Sequence, residues 1–336
     1  MRLTRLGFWG IALAAALGAS SASISDAKPG DPAPQCGQKG RVAFDKDTVL
    51  TDATGRRIAR FSGGESDVTL VSPPADGSDQ ARIETGSGKG SFRLQGFVKS
   101  AELRIFTGSS VPVMGAQVRL RPGARVVLAG AAAGKVKLDK QVTSPFNQRF
   151  SAVADCSALT FSPPPPTSVS VPGNARVYLM KVPLLDLYDA AQGKIVFTVQ
   201  RASGTDSVRF FSSEQKGGFV HIEYGGEIGI DAWAKAGDLQ ALARGETSDV
   251  PPASYTLTSP PQLQLEKTPR VVTTQREVPL RVAARDAEAP VGVIEAETEV
   301  YVMDTVVGWA NVLPKSLHVL PADNLSFWVK AVDLGL

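Results

Sequence analysis

The residue types that most often perform catalysis or bind metals are sparse in this chain. Its two histidines, His221 and His318, each lie in a β-prone stretch and are not paired at metal-ligand spacing. Glu295, Glu297 and Glu299 alternate along one predicted strand face, which is typical either of a solvated face or of an acidic stripe. We therefore predict no catalytic residues, no metal and no cofactor, and hence no enzyme.

Nucleophile and phosphate-binding motifs lead to the same expectation. The sequence contains no Gly-x-Ser-x-Gly elbow. The glycine-rich segment 86–90 does not follow a predicted strand and open a helix, as a phosphate-binding loop does. A cysteine peptidase would need a free cysteine beside a histidine on a helix-containing core, and neither cysteine has that setting.

The two cysteines, Cys36 and Cys156, are predicted to form a disulfide. Pairing is the default for two cysteines in an oxidising compartment. The bond would close a loop of about 120 residues and stabilise the fold by up to ~4–5 kcal/mol in the chain-entropy model. The alternative is a catalytic or metal-binding cysteine.

The N-terminus has the three parts of a secretory signal peptide. Arg2 and Arg5 precede the uncharged run 6–17, and small residues occupy 18–23. The run has about twelve residues, short of the ~20 that cross a bilayer. A buried helix is the alternative, but the segment that follows is polar and rich in Gly and Pro. We expect residues 1–23 to be removed, residues 24–40 to be flexible, and the protein to be secreted or periplasmic, with no membrane span after cleavage.

Charge and length limit the partners and the domain plan. Removing Arg2 and Arg5 takes the formal charge from +3 to +1. A near-neutral chain without a Lys/Arg stripe argues against nucleic acid as a partner. Roughly 310 mature residues exceed one comfortable core, so several small domains are expected.

One eight-residue phrase occurs three times, at 96–103, 232–239 and 327–334. Counted from its aromatic residue as position 0, each copy has Lys at +2, a small residue at +3, a carboxylate at +5 and Leu at +6. A degraded copy ends at Leu159, with Val153 in place of the aromatic. The phrase therefore indicates a repeated domain.

The sequence upstream of each phrase defines the repeating unit. A Val-Pro-Leu or similar lead-in is followed by Asp-Ala and then by a Gly-containing turn, as at Asp52, Asp189 and Asp286. Asp in that position suits a turn, because it hydrogen-bonds its own backbone. The predicted units are 41–106 (unit 1), 107–161 (unit 2, the degraded copy), 177–243 (unit 3) and 277–336 (unit 4), with Pro-rich linkers at 162–176 and 244–276.

The units are predicted to be all-β. Segments such as 194–199, 208–211, 219–222 and 297–303 are short, rich in Val, Ile, Phe and Tyr, and flanked by turn residues. The window 232–243 comes closest to helical periodicity, but its equivalents in the other units are β-prone.

The repeat resembles the bacterial SH3-like domain of extracytoplasmic proteins. The resemblance lies in Gly218-Phe219-Val220 followed by the phrase at Trp233, and in Gly308-Trp309-Ala310 followed by the phrase at Trp328. It covers units 3 and 4 well, unit 1 moderately and unit 2 poorly. Phe219 departs from the family pattern, as do Ala232 and Phe327, which stand where the family often has Gly. The resemblance implies tandem small β-barrels, joined here by the Pro-rich linkers.

Strand geometry gives the phrase two open interpretations. On an extended strand the aromatic and the Lys share one face, while Val98, Ala234 and Val329 point inward. A core position for the Leu at +6 then requires a bulge or turn after +3. In one interpretation the aromatic packs over the barrel edge and the Lys stem covers it. In the other, the aromatics are exposed platforms for a sugar or peptide, with these ligand-binding candidates: Trp233, Trp309, Trp328, Phe219 and Tyr224.

The resemblance implies a secreted, non-catalytic binding protein of the cell envelope, with peptidoglycan or an envelope protein as its partner. Repeated units would raise avidity for a polymer. The alternative is a structural or assembly component of an envelope complex, whose faces bury protein. A third possibility is a cell-wall hydrolase accessory, or an enzyme without a recognisable site.

Overall fold

The computed structural model describes residues 34–44, 47–86, 91–165, 173–204, 208–242 and 268–336. The predicted signal peptide lies outside these residues, as do positions 24–33 of the predicted flexible segment and positions 166–172 and 244–267 of the predicted linkers. The described residues form antiparallel strands and four short 3₁₀ helices. The all-β prediction is confirmed.

The strands follow the repeat along the chain. Unit 1 contains β1 (Gln38–Phe44), β2 (Val49–Thr51), β3 (Arg57–Phe61), β4 (Gly64–Ser72), β5 (Gln80–Thr85), β6 (Phe92–Lys99) and the 3₁₀ helix η1 (Ser100–Glu102). Unit 2 contains β7 (Ile105–Thr107), β8 (Val111–Met114), β9 (Val118–Leu120), β10 (Arg125–Ala132), β11 (Lys135–Val142), β12 (Gln148–Ala154), η2 (Cys156–Ala158) and β13 (Leu159–Thr160).

The second half of the chain repeats this order. Unit 3 contains β14 (Arg176–Met180), β15 (Leu184–Tyr188), β16 (Ile195–Gln200), β17 (Arg209–Lys216), β18 (Phe219–Gly225), β19 (Ile228–Lys235), η3 (Ala236–Asp238) and β20 (Leu239–Ala241). Unit 4 contains β21 (Arg270–Thr273), β22 (Val278–Leu280), β23 (Gly292–Ile294), β24 (Glu299–Val306), β25 (Trp309–Pro314), β26 (Val319–Pro321), β27 (Phe327–Lys330) and η4 (Ala331–Leu334). The first strand of each of the four units begins before the predicted bound of that unit: β1 starts at Gln38, β7 at Ile105, β14 at Arg176, and β21 lies wholly within the segment predicted as a linker.

Each unit pairs its strands in the same order. The first strand joins a three-stranded meander, giving the orders β1-β4-β5-β6, β7-β10-β11-β12, β14-β17-β18-β19 and β21-β24-β25-β27. Between the first strand and the meander lies a lead-in hairpin: β2-β3, β8-β9, β15-β16 or β22-β23. Unit 2 shares this plan, so it is a structural copy despite its degraded phrase.

The sheets cross the unit boundaries in two equivalent ways. Strand β23 of unit 4 pairs with the first half of β6 in unit 1, and β9 of unit 2 pairs with the first half of β19 in unit 3. Exchanging unit 1 with unit 3 and unit 4 with unit 2 converts one set of pairings into the other. The chain therefore contains the same two-unit assembly twice, and we call these the 1–4 pair and the 3–2 pair.

A second contact recurs in both pairs. Strand β26 of unit 4 pairs with β3 of unit 1, while Phe146 of unit 2 bridges to Arg201 of unit 3. Aromatic rings also meet across each boundary, with 6.1 Å between the ring centroids of Phe92 and Phe327 and 5.7 Å between those of Phe150 and Phe197. Edges that an isolated unit would expose are thus covered by another unit.

Gly292 provides a test of the 1–4 pair. A Cβ at Gly292 would lie 2.1 Å from the carbonyl oxygen of Arg93, on the partner strand β6. We expect Gly292→Ala to lower the free energy of unfolding by ~1–3 kcal/mol through overpacking. Chemical denaturation should show almost no loss for the control Gly237→Ala, because nothing lies within 4 Å of that position. Equal effects of the two variants would contradict the pairing.

The phrase contains the turn that the sequence analysis required for the Leu at +6 to reach the core. After the residue at +2, the chain leaves the extended conformation and forms a 3₁₀ helix that begins at +3 in all four units. This turn returns the Leu at +6 to the core, where Leu103, Leu159, Leu239 and Leu334 are 0 to 8% exposed. The residues at +1 that were predicted to point inward are also buried, which confirms that prediction: Val98, Ala234 and Val329.

Candidate functional site

In units 1, 3 and 4 the last strand of the meander (β6, β19 or β27) carries the aromatic residue of the phrase on its outward side, between two partner residues. Phe97, Trp233 and Trp328 pair with a polar residue of the meander and with a residue of the lead-in hairpin. We call this surface the aromatic face. Its meander partners are Arg82, His221 and Asn311, and its lead-in partners are Thr51, Tyr188 and Arg281.

Unit 3 has the most developed aromatic face. Trp233 is half-buried, and its ring centroid lies 5.2 Å from that of His221. His221 Nε2 lies 2.8 Å from Asp231 Oδ1, so the imidazole is held in place beside the indole. A fixed, partly exposed indole with polar neighbours can stack against an apolar ring face and hydrogen-bond around its edge.

Phe219 and Lys235 stabilise this face from one side. The Phe219 ring packs edge-on against Tyr188, with 5.1 Å between centroids. Lys235 Nζ lies 5.8 Å from the Tyr188 centroid, and a hydrogen bond with the Tyr188 hydroxyl raises the pKa of Lys235. The lysine of the phrase thus covers a lead-in aromatic rather than the aromatic of its own phrase. Phe219 is half-buried and supports Tyr188.

In unit 4 the two tryptophans differ in exposure. Trp309 is only 8% exposed. The Arg281 guanidinium carbon and Lys330 Nζ lie 5.5 and 5.9 Å from its ring centroid. Trp309 is therefore not the exposed platform that the sequence interpretation proposed, because two cations cover it. Trp328 is half-buried and lies on the aromatic face.

Tyr224 lies at the boundary between units 2 and 3. Its ring contacts Phe146 of unit 2 and Phe210 of unit 3 edge-on, at 5.2 and 6.1 Å between centroids. Burial, together with the negative charge of Glu227, raises the pKa of Tyr224 to about 12. These contacts make Tyr224 part of the 3–2 pair rather than of an outward surface.

A cleft of about 620 Å³ lies at the junction of the 1–4 pair. Its floor is β6 with Phe97, and its walls are the lead-in turn of unit 1 at 52–58 and the segment 289–293 of unit 4. We call it the junction cleft. The sequence had singled out Phe97 and Asp52 separately. No local signal could place the segment 289–293 against them, because that contact depends on β23 pairing with β6.

Ion pairs bind the two walls of the junction cleft together. Arg56 of unit 1 lies 2.8 Å from Glu288 of unit 4, whose other oxygen lies 2.9 Å from Arg285. Hydrogen bonds from Arg285 and Arg56 hold the pKa of Glu288 below its usual value. On the unit 1 side, Asp52 accepts hydrogen bonds from the backbone N–H groups of Thr54 and Arg56. This is the turn role predicted for Asp52.

The Glu288 ion pairs predict how stability depends on pH. Because the folded-state pKa lies below the ordinary 4.5, ionised Glu288 stabilises the fold above that pH, and the contribution is lost as pH falls through the folded-state pKa. We expect the stability difference between the wild-type protein and Glu288→Gln to be largest near pH 7 and to shrink towards pH 3. Urea denaturation at several pH values measures this. A difference independent of pH would contradict it.

Two further predictions, the disulfide and the acidic strand face, are tested by the structure. Cys36 and Cys156 are disulfide-bonded, as predicted, and the bond joins the start of unit 1 to η2 of unit 2. The predicted strand face with Glu295, Glu297 and Glu299, whether solvated or an acidic stripe, is wrong, because these residues do not share a strand: Glu297 has a left-handed backbone between β23 and β24. Within the described residues, no group of three or more His, Cys, Asp or Glu could hold a metal ion.

Comparisons with known proteins returned nothing similar. No family model, curated protein sequence or solved structure matches this chain. In the part of the chain that the structure describes, no helix is long and apolar enough to cross a membrane.

Proposed function

We propose that this is a secreted, non-catalytic, multi-unit binding protein of the cell envelope, and that its aromatic faces contact peptidoglycan. One observation carries the proposal. Trp233 and Trp328 occupy equivalent outward positions in units 3 and 4, each partly exposed beside a polar meander partner. A large, rigid ring edged by hydrogen-bonding groups suits the alternating apolar and polar surface of a glycan or its peptide.

The pairing of units supports binding to a polymer. Strand pairing between units 1 and 4 fixes their two aromatic faces relative to each other instead of leaving them on flexible tethers. Fixed weak sites that engage one polymer together gain avidity without a tight individual site. The Cys36–Cys156 disulfide is compatible with an oxidising compartment outside the cytoplasm.

Sedimentation with purified peptidoglycan sacculi tests this function. The chain beginning at residue 24 should pellet with sacculi, and Trp233→Ala combined with Trp328→Ala should lower the affinity at least about tenfold, as truncation of interface anchors does. The matched control is Val153→Ala, at the same position of unit 2, where no aromatic exists. Failure of the wild-type protein to pellet, or equal pelleting of the double tryptophan variant, would reject the cell-wall role.

An assembly role is the second candidate, and an apolar tip on unit 4 favours it. The turn between β24 and β25 exposes Val306 at 45% and Val307 at 94%, and Val332 of η4 is 72% exposed. Val307 adopts a left-handed backbone with φ of 42°. The equivalent turns of units 3 and 2 place Gly217 and Ala133 there. A β-branched residue in this conformation costs ~1–2 kcal/mol, so its presence at full exposure favours a partner-binding role for the valine tip.

Glycine substitutions separate the effect of the valine tip on the free energy of unfolding from its effect on binding a protein partner. Val307→Gly should raise the unfolding free energy by about 1 kcal/mol, because glycine accepts the left-handed backbone. Val306→Gly, in strand β24, should lower it by a similar amount. If a protein partner docks on the tip, both variants should reduce crosslinking to it in native envelope. Crosslinking that falls only in the destabilised variant would argue against docking.

A further inference from the structure

We propose that the junction cleft binds a neutral, hydroxyl-rich sugar segment of a glycan. This inference rests on the proposed function and specifies the ligand at one site. The cleft, at about 620 Å³, falls within the roughly 300–1,000 Å³ typical of small-molecule sites. Its chemistry, rather than its size, selects the ligand.

Two of the guanidinium groups that line the junction cleft, those of Arg56 and Arg93, are already paired with carboxylates, while Arg82 is hydrogen-bonded to the neutral Gln95. Arg56 is paired with Asp52 and Glu288, at 3.1 and 2.8 Å. Arg93 is paired with Glu277 and Glu295, at 3.0 and 2.8 Å. An anionic ligand would have to compete with these carboxylates for the guanidinium groups, and a cationic ligand would compete with the guanidinium groups for the carboxylates. A neutral ligand disrupts neither set of ion pairs.

Donors and acceptors alternate across the floor of the cleft. Arg82 Nη2 donates to Gln95 Oε1 at 3.3 Å, and Gln95 Nε2 donates to Glu84 Oε2 at 2.7 Å. Arg82 has five N–H donors, and Gln95 has a carbonyl oxygen with two lone pairs. A hydroxyl group both donates and accepts, so a polyol can bond to both side chains at once. The Arg82–Gln95–Glu84 chain holds these groups in position for it.

The apolar part of the cleft suits a sugar ring. Phe97, Pro290, Val291 and Val293 all line the cleft, and the segment that carries the last three continues alongside β6. Two glycines allow this close arrangement, because a Cβ at Gly96 would lie 2.5 Å from the carbonyl oxygen of Thr51, and one at Gly292 would meet β6. The C–H face of a pyranose can pack on the Phe97 ring while its hydroxyl groups reach Arg82 and Gln95.

Calorimetric titration with chitotetraose, a neutral N-acetylglucosamine oligomer, tests the proposal. Chitotetraose should bind the full mature chain, and the Kd should change less than about twofold between low and high salt, because no ion pair forms on binding. Phe97→Ala and Gln95→Ala should each weaken binding at least about tenfold. Lys99→Ala, an exposed residue on the same strand outside the cleft, should leave the Kd unchanged.

Two results would overturn the proposal. The first is that a folded wild-type chain fails to bind chitotetraose, whether or not it binds the anionic control oligogalacturonate. The other is an unchanged Kd in both cleft variants, with Gln95→Ala serving if Phe97→Ala fails to fold. Sacculus binding is scored separately: if sacculi still pellet the protein but chitotetraose does not bind, only the ligand class of the cleft is rejected. If sacculi do not pellet the wild-type chain, the cell-wall function fails on its own.

Discussion

Replacing Cys36 and Cys156 together with serine is expected to lower the free energy of unfolding by about 4–5 kcal/mol. The disulfide closes a loop of 120 residues, so its loss restores a large amount of chain entropy to the unfolded state. It also frees the start of unit 1 from η2, which lies in the copy of the phrase that has lost its aromatic and its lysine. Denaturation in guanidinium, with and without reductant, measures the change.

The reduced wild-type protein is the matched control for this prediction. Reductant should destabilise the wild-type chain to the level of the double serine variant and leave that variant unaffected. A double variant as stable as the oxidised wild-type protein would show that the bond does not link units 1 and 2 in the folded protein. The sequence contains only these two cysteines, so no second disulfide can compensate for the loss of stability when this one is removed.

Leu103→Ala is expected to cost ~2–5 kcal/mol. Leu103 is fully buried where η1 returns the chain to the core, and truncation removes apolar contacts and leaves a cavity. The matched control is Lys99→Ala, four residues earlier on the outward side, which should change stability by less than ~0.5 kcal/mol. Urea denaturation measures the free energy of unfolding of both variants, and equal losses would contradict the core position of the Leu at +6.

The sequence predicted the features that depend on local patterns. The phrase specified an outward aromatic, an inward residue at +1 and a core Leu at +6, and strand alternation required a turn between them. The turn is the 3₁₀ helix that begins at +3, as at Ser100 and Ala236. The recurrent Asp likewise predicted the turn at Asp52, because an Asx turn is made within a few residues.

The arrangement of the units could not be predicted in this way. Nothing in the sequence of β23 distinguishes a strand that pairs within its own unit from one that pairs with β6 of unit 1. The two tryptophans of unit 4 also looked alike, because the side chains that cover one of them are brought to it only by the fold of the unit. Trp309 is buried because Arg281 and Lys330 cover it, while Trp328 remains partly exposed. The junction cleft was missed because its walls come from opposite ends of the chain.

The intrinsic fluorescence of the chain beginning at residue 24 tests the role of the aromatic faces most directly. That chain contains three tryptophans, Trp233, Trp309 and Trp328. Titration with soluble peptidoglycan fragments should give a saturable change in emission. Replacing Trp233 and Trp328 with phenylalanine should abolish that change, because the remaining Trp309 is covered. No change in the wild-type protein, or an undiminished change in the double variant, would contradict binding through these faces.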